Sequence, residues 1–169
     1  MGDHTESFQV DFDPDTVSYD ELLETFWTSH DPTHHPWKVQ YASLVLAADE
    51  SQLEAARNSA ERIGDTLGRP LETRIEMLDR FWLAEEYHQK YHLRQDRALS
   101  AEFRAMFGGD ETAFRESTAA ARVNGYVAGD GSKVQLSREI DLLGLTDAGR
   151  ARLAETVARL GDGIGCPTG

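Results

Sequence analysis

The chain has 169 residues, 40% of them hydrophobic, and a net charge of -13, which suits one sizeable domain or a compact domain with an appendage. The charge argues against electrostatic binding to nucleic acid or anionic membranes, since both depend on clustered basic residues, and lysine occurs only at positions 38, 90 and 133. The single cysteine, Cys166, excludes an intramolecular disulfide and a multi-cysteine zinc site, and no apolar run reaches bilayer length, so no membrane anchor or signal segment is visible and a cytoplasmic location is expected.

Phe8, Val10 and Phe12 alternate with Gln9, Asp11 and Asp13, a pattern that predicts a strand, and Asp13, Pro14 and Asp15 predict the turn after it. The strongest helix signal follows. Tyr19, Leu22, Leu23, Phe26 and Trp27 line one face of a 3.6-residue period, Ser18 and Glu21 form a capping box, and Pro32 ends the helix near His30 and Asp31. After the loop, Tyr41 to Ala47 predicts a second strand, with Tyr41 opening it. Asp49 and Gln52 open a helix that buries Leu53, Ala56, Ala60 and Ile63 and ends at Gly64 and Gly68, and Leu71 to Met77 alternates as a third strand.

From Phe81 to His92 the segment FWLAEEYHQKYH places Tyr87 and Tyr91 at helical spacing. Beyond it no alternation appears. Short helices are expected around Leu99, Phe103 and Phe107, and from Asp110 through Phe114 to Ala121. Two more open at Ser132 with Gln135 and at Thr146, carrying Leu136, Ile140 and Leu143, then Leu153, Val157 and Leu160.

Three constellations bear chemistry, each with a plainer reading. Glu6 and Tyr41 are an acid and a phenol at strand mouths; together they could donate hydrogen bonds to a developing oxyanion, although strand-end carboxylates are usually solvated. His30, His34 and His35 with Asp31, and His88 with His92 beside Glu85 and Glu86, have spacings that can hold a metal but are commoner as surface residues. Trp27, Trp37, Phe81, Trp82 and Tyr87 are aromatic enough for a ligand pocket, and such groups are more often core. No phosphate loop or GxSxG elbow occurs. Cys166 lies in GDGIGCPTG, as either a bystander at a terminus or a mobile redox thiol.

Taken together, GDHTE (2–6), FDPDTVSYDELLETFWTSHDPT (12–33), Gln40 with Tyr41, and FWLAEEYHQKY (81–91) resemble the peptide methionine sulfoxide reductase A family. The resemblance implies an α+β chain: a partial ferredoxin-like α/β sandwich over 1–94, a helical extension over 95–161 and a Gly-rich tail over 162–169. It implies reduction of the S epimer of methionine sulfoxide, in oxidised proteins or free, through a cysteine sulfenic acid, with no cofactor and with thioredoxin or another thiol as reductant. Glu6 matches the acid of the family's Gly-His-Thr-Glu motif and Tyr41 the tyrosine of its Gln-Tyr motif, so these two are the expected catalytic residues. Cys166 is the expected resolving thiol, by analogy with C-terminal recycling cysteines. The family's Gly-Cys-Phe-Trp segment, with its nucleophile, is missing from this sequence, which implies that Met1 is an internal methionine and that an absent segment or a second copy covers the sheet. A catalytically silent relative that binds methionine sulfoxide or a protein partner is the alternative.

Overall fold

The computed structural model describes residues 4–161, which form two compact units divided between Phe81 and Trp82. The first is mixed α and β, the second helical, so the chain is α+β with a helical extension.

In the first unit, helix α1 spans Tyr19–Thr28. Its start is encoded locally: the Ser18 hydroxyl accepts from the Glu21 amide, and the Glu21 carboxylate accepts from the Ser18 amide at 2.7 Å. Those bonds to Ser18, backbone first, hold the Glu21 carboxyl below its ordinary value. The helix ends at Thr28, with Ser29 rather than His30 and Asp31 as its cap. Strand β1, Leu44–Ala47, leads into α2, Glu50–Leu67, and then into β2, Arg74–Met77. The Asp49 carboxylate caps α2 through the Gln52 amide, and Gly68 ends it with φ 62, a left-handed geometry that suits glycine.

The two strands pair in parallel, with Leu44 opposite Arg74 and Val45 opposite Ile75. A parallel pair needs a crossover, which α2 supplies. Val45 and Ile75 pack with Leu23 and Trp27 of α1 and Ala56 of α2 in one cluster. Each fully buried side chain of Leu size contributes about 1.5–3 kcal/mol relative to exposure.

Three strand expectations change, the simplest being that β2 begins at Arg74 and not at Leu71. Residues 8–12 form no strand: Phe8 and Val10 are exposed, because alternation encodes a half-buried surface but not the neighbouring strand that must accept its hydrogen bonds, and β1 and β2 pair only with each other among the described residues. Nor does Tyr41 open β1. It closes a 3-10 turn over Val39–Tyr41, three residues before the ladder begins.

The helical unit contains a 3-10 turn at Glu86–His88, then α3 (Tyr91–Gln95), α4 (Arg97–Met106), α5 (Glu111–Glu116), α6 (Thr118–Ala128), α7 (Lys133–Glu139) and α8 (Asp147–Leu160). Asp96, Asp110, Ser117, Ser132 and Thr146 cap the last five through their side chains. The cap at Ser117 divides the helix expected to run from Asp110 to Ala121. Leu93, Leu99, Phe103, Val123, Leu143, Leu153 and Val157 are fully buried in its core. Tyr87 and Tyr91 do not stack, because Lys90 between them takes the left-handed conformation at φ 52 and separates the turn from α3. Each ring packs on the histidine that follows it instead.

Candidate functional site

The loop from α1 to β1 is anchored at both ends. At its start, His30 Nδ1 lies 2.9 Å from the Phe26 carbonyl oxygen. A carbonyl only accepts, so this nitrogen carries a proton, and in the neutral ring Nε2 accepts from the Ser43 hydroxyl at 2.7 Å. Ser43 Oγ in turn meets Thr73 Oγ1 at 2.8 Å. The Arg74 amide donates to the Ser43 carbonyl, and the Glu72 amide to that of Pro32. Half-buried His30 thus joins the end of α1 to the entry of both strands. Asp31 closes a local turn, accepting from the Thr33 hydroxyl and amide, bonds that hold its carboxyl below the ordinary value.

Within that loop sits the 3-10 turn carrying Tyr41, and the N-terminal segment is laid against it. The Glu6 amide donates to the Gln40 carbonyl at 2.9 Å, and the Gln40 side-chain amide reaches Glu6 Oε1 at 3.4 Å. One residue earlier, the Thr5 hydroxyl donates to the Val39 carbonyl at 3.0 Å and accepts from Arg74 Nη2 at 3.1 Å. The backbones bearing Glu6 and Tyr41 are therefore hydrogen-bonded neighbours, although 35 positions separate them in sequence. Both side chains are exposed. The Tyr41 ring lies 5.4 Å from that of Trp37, and the Lys38 ammonium sits 4.4 Å over the same indole. The backbone thus brings the acid-bearing and phenol-bearing segments together, with the Trp37 ring beside that of Tyr41 and all three side chains exposed. A surface hollow at the end of α2, lined by Gly64, Gly68, Arg69 and Leu71, contains none of them.

Cys166 lies outside the described residues. The histidines form no metal set: among the described residues, no three His, Cys, Asp or Glu side chains converge on an ion-sized space. His35 pairs with Glu72 at 2.9 Å, and His30 is occupied by Phe26 and Ser43. The expected i, i+4 pairing of His88 and His92 is broken at Lys90, since His88 belongs to the 3-10 turn and His92 to α3. Of the aromatic group, Trp27 is core, whereas Trp37, Trp82 and Tyr87 are exposed. Sequence reasoning missed Thr5, Ser43 and Arg74. Thr5 stands inside the GDHTE run, but nothing local marks a bond to a residue 69 positions away.

The sequence profile of the peptide methionine sulfoxide reductase family matches residues 1–121, which takes in the first unit and runs on into α6. A peptide methionine sulfoxide reductase of Drosophila melanogaster is 37% identical over 154 residues, covering 89% of this chain and 60% of the fly protein. One from Haloquadratum walsbyi is 40% identical over 94 residues, 53% of this chain and 54% of its own length. Peptide methionine sulfoxide reductase A5 of Arabidopsis thaliana is 34% identical over 134 residues, 76% of this chain and 52% of its own. The fly and plant matches are long enough to reach into the helical unit. The chain spans just over half to three-fifths of the length of these curated relatives. With a profile match over most of its length, the chain belongs to the peptide methionine sulfoxide reductase family.

Proposed function

We propose that this chain supplies the sulfoxide-binding half of a peptide methionine (S)-S-oxide reductase, acting on methionine sulfoxide in oxidised proteins or free. The observation that carries the reading is the 2.9 Å bond from the Glu6 amide to the Gln40 carbonyl, which keeps the acid beside the turn that presents Tyr41. The Glu6 carboxyl, when protonated, and the Tyr41 phenol donate to the sulfoxide oxygen. Drawing electron density from that oxygen makes the sulfur more electrophilic. A cysteine thiolate then attacks the sulfur, the oxygen passes to the cysteine as sulfenic acid, and the thioether leaves. A second thiol condenses with the sulfenic acid, releasing water and leaving a disulfide, which thioredoxin or another dithiol reduces.

The attacking thiol is not among residues 4–161, which contain no cysteine. Cys166 is assigned the resolving role, and a thiol outside this sequence the attack.

The test is turnover of a peptide carrying (S)-methionine sulfoxide, with dithiothreitol, by the chain and by Cys166→Ser. Glu6→Gln and Tyr41→Phe are then assayed for sulfoxide binding. Loss of binding in both variants, with or without turnover, supports the reading; binding unaffected by either removes it. Binding without turnover in the parent chain favours the silent relative, and turnover abolished by Cys166→Ser moves the attack to the tail thiol.

A further inference from the structure

Arg74 touches both segments that carry the proposed site. Its backbone amide donates to the carbonyl of Ser43, two residues after Tyr41. Its guanidinium donates to the hydroxyl of Thr5, one residue before Glu6, and that hydroxyl passes a hydrogen bond on to the carbonyl of Val39, two residues before Tyr41. The Thr5 hydroxyl is thus donor to one side and acceptor to the other, and a charged donor on one side of such a chain polarises the next bond. The other partner of Arg74 is Glu76, two positions along the same strand face, at 3.4 Å. Arg74 is held on a strand, whereas residues 4–12 carry no regular structure. The rigid element therefore locates the irregular one.

We propose that Arg74, acting through the Thr5 hydroxyl, is the positioning residue that sets Glu6 against Tyr41; this rests on the reading of that pair as the sulfoxide-binding groups. Without the latch, the Glu6 segment keeps its backbone bond to the Gln40 carbonyl and the long 3.4 Å contact between its carboxylate and the Gln40 side-chain amide, both to a single residue about which it can pivot. A carboxyl free to pivot loses the fixed geometry on which a shared hydrogen bond to one oxygen depends. Exposed bonds of this kind contribute little to global stability, so their removal frees the segment without unfolding the unit. Arg74 and Thr5 touch no substrate in this scheme.

The experiment uses the full chain and two probes, N-acetylmethionine (S)-sulfoxide amide and the corresponding thioether, with Glu6 amide exchange as a readout independent of ligand. Thr5→Val keeps the shape of the side chain and removes the hydroxyl; Thr5→Ser keeps the hydroxyl; Arg74→Met removes the donor and leaves the ladder amide. Thr5→Val and Arg74→Met are expected to weaken sulfoxide binding about tenfold, leave thioether binding unchanged and speed exchange at Glu6, with Thr5→Ser close to the parent. Unchanged exchange at Glu6 in Thr5→Val and Arg74→Met overturns the latch, whatever the ligand does. Sulfoxide affinity unchanged while exchange rises overturns the positioning role, and so does Thr5→Ser as weak as Thr5→Val. A parent chain that does not distinguish sulfoxide from thioether overturns the reading of Glu6 and Tyr41 and with it the positioning role, while the exchange data still report whether the latch exists.

Discussion

The indole N–H of Trp27 donates to the hydroxyl of Ser59 at 2.7 Å, inside the core that α1 and α2 share. Ser59 is 5% exposed and Trp27 equally so. A polar pair buried to this depth is secure only while both members are present. Ser59→Ala strands a donor with no water to replace its partner, and a loss of about 1–3 kcal/mol is expected. Urea denaturation followed by tryptophan fluorescence measures it, and a loss near zero would show that the indole finds another acceptor.

Gly131 is required by a neighbour and not by its own backbone. Its φ lies outside the left-handed region, yet an added Cβ would fall 2.2 Å from the Tyr126 ring. That ring is 3% exposed and hydrogen-bonded through its hydroxyl to Glu139, so it has little room to retreat. Gly131→Ala is expected to cost about 1–3 kcal/mol, as overpacking does. Combining it with Tyr126→Leu should recover part of the loss, a double-mutant cycle that a purely backbone effect would leave additive.

Burial foremost, then the hydrogen bond and charge of Glu139, push the Tyr126 phenol above its ordinary value, against the opposing pull of Arg122. The folded chain therefore keeps this proton at a pH where the unfolded chain loses it. Stability is fully present below the unfolded value of about 10 and falls as pH rises from there toward the folded value. Tyr126→Phe should flatten that fall, seen as melting temperature against pH between neutral and strongly alkaline buffer.

Asp96 serves two helices. One carboxylate oxygen caps α4 at the Ala98 and Leu99 amides, and the other accepts from Arg152 Nε of α8 at 2.9 Å. Its side chain is 7% exposed. Asp96→Asn retains a cap and loses the charge pairing, whereas Asp96→Ala loses both. A cost of about 2 kcal/mol or more for alanine and roughly half that for asparagine is expected from chemical denaturation. Equal costs would mean that the cap contributes nothing.

What was legible in the sequence was what neighbours in sequence decide. Ser18 with Glu21, Asp49 with Gln52, Ser132 with Gln135, and Thr146 mark helix starts because the capping bond spans two or three residues. The alternation of Phe8, Val10 and Phe12 was misleading for the opposite reason, since a strand exists only with a partner that no local pattern announces. The break between Tyr87 and Tyr91 was hidden because Lys90 takes a conformation that glycine or asparagine would have advertised. At the candidate site, Glu6 and Tyr41 were visible through family motifs. The bonds of Thr5 to Arg74 and of His30 to Ser43, which hold their surroundings, join residues 69 and 13 positions apart and leave no trace in any window of sequence.

The pairing of Leu44 with Arg74 also bears on how the chain acquires its structure. Thirty residues must be gathered before the first rung of that ladder closes, and a parallel ladder has no hairpin to nucleate it. The single helices of the second unit face no such delay in starting, since five of them carry their own start signals, although packing α4 on α8 gathers up to 56 residues. Local helical order should therefore arise in the fast phase of refolding, while the strand pair waits for α2 to form and bring its ends together. The Thr5 bond to Arg74, which joins the Glu6 segment to β2, then forms only once that strand is in place.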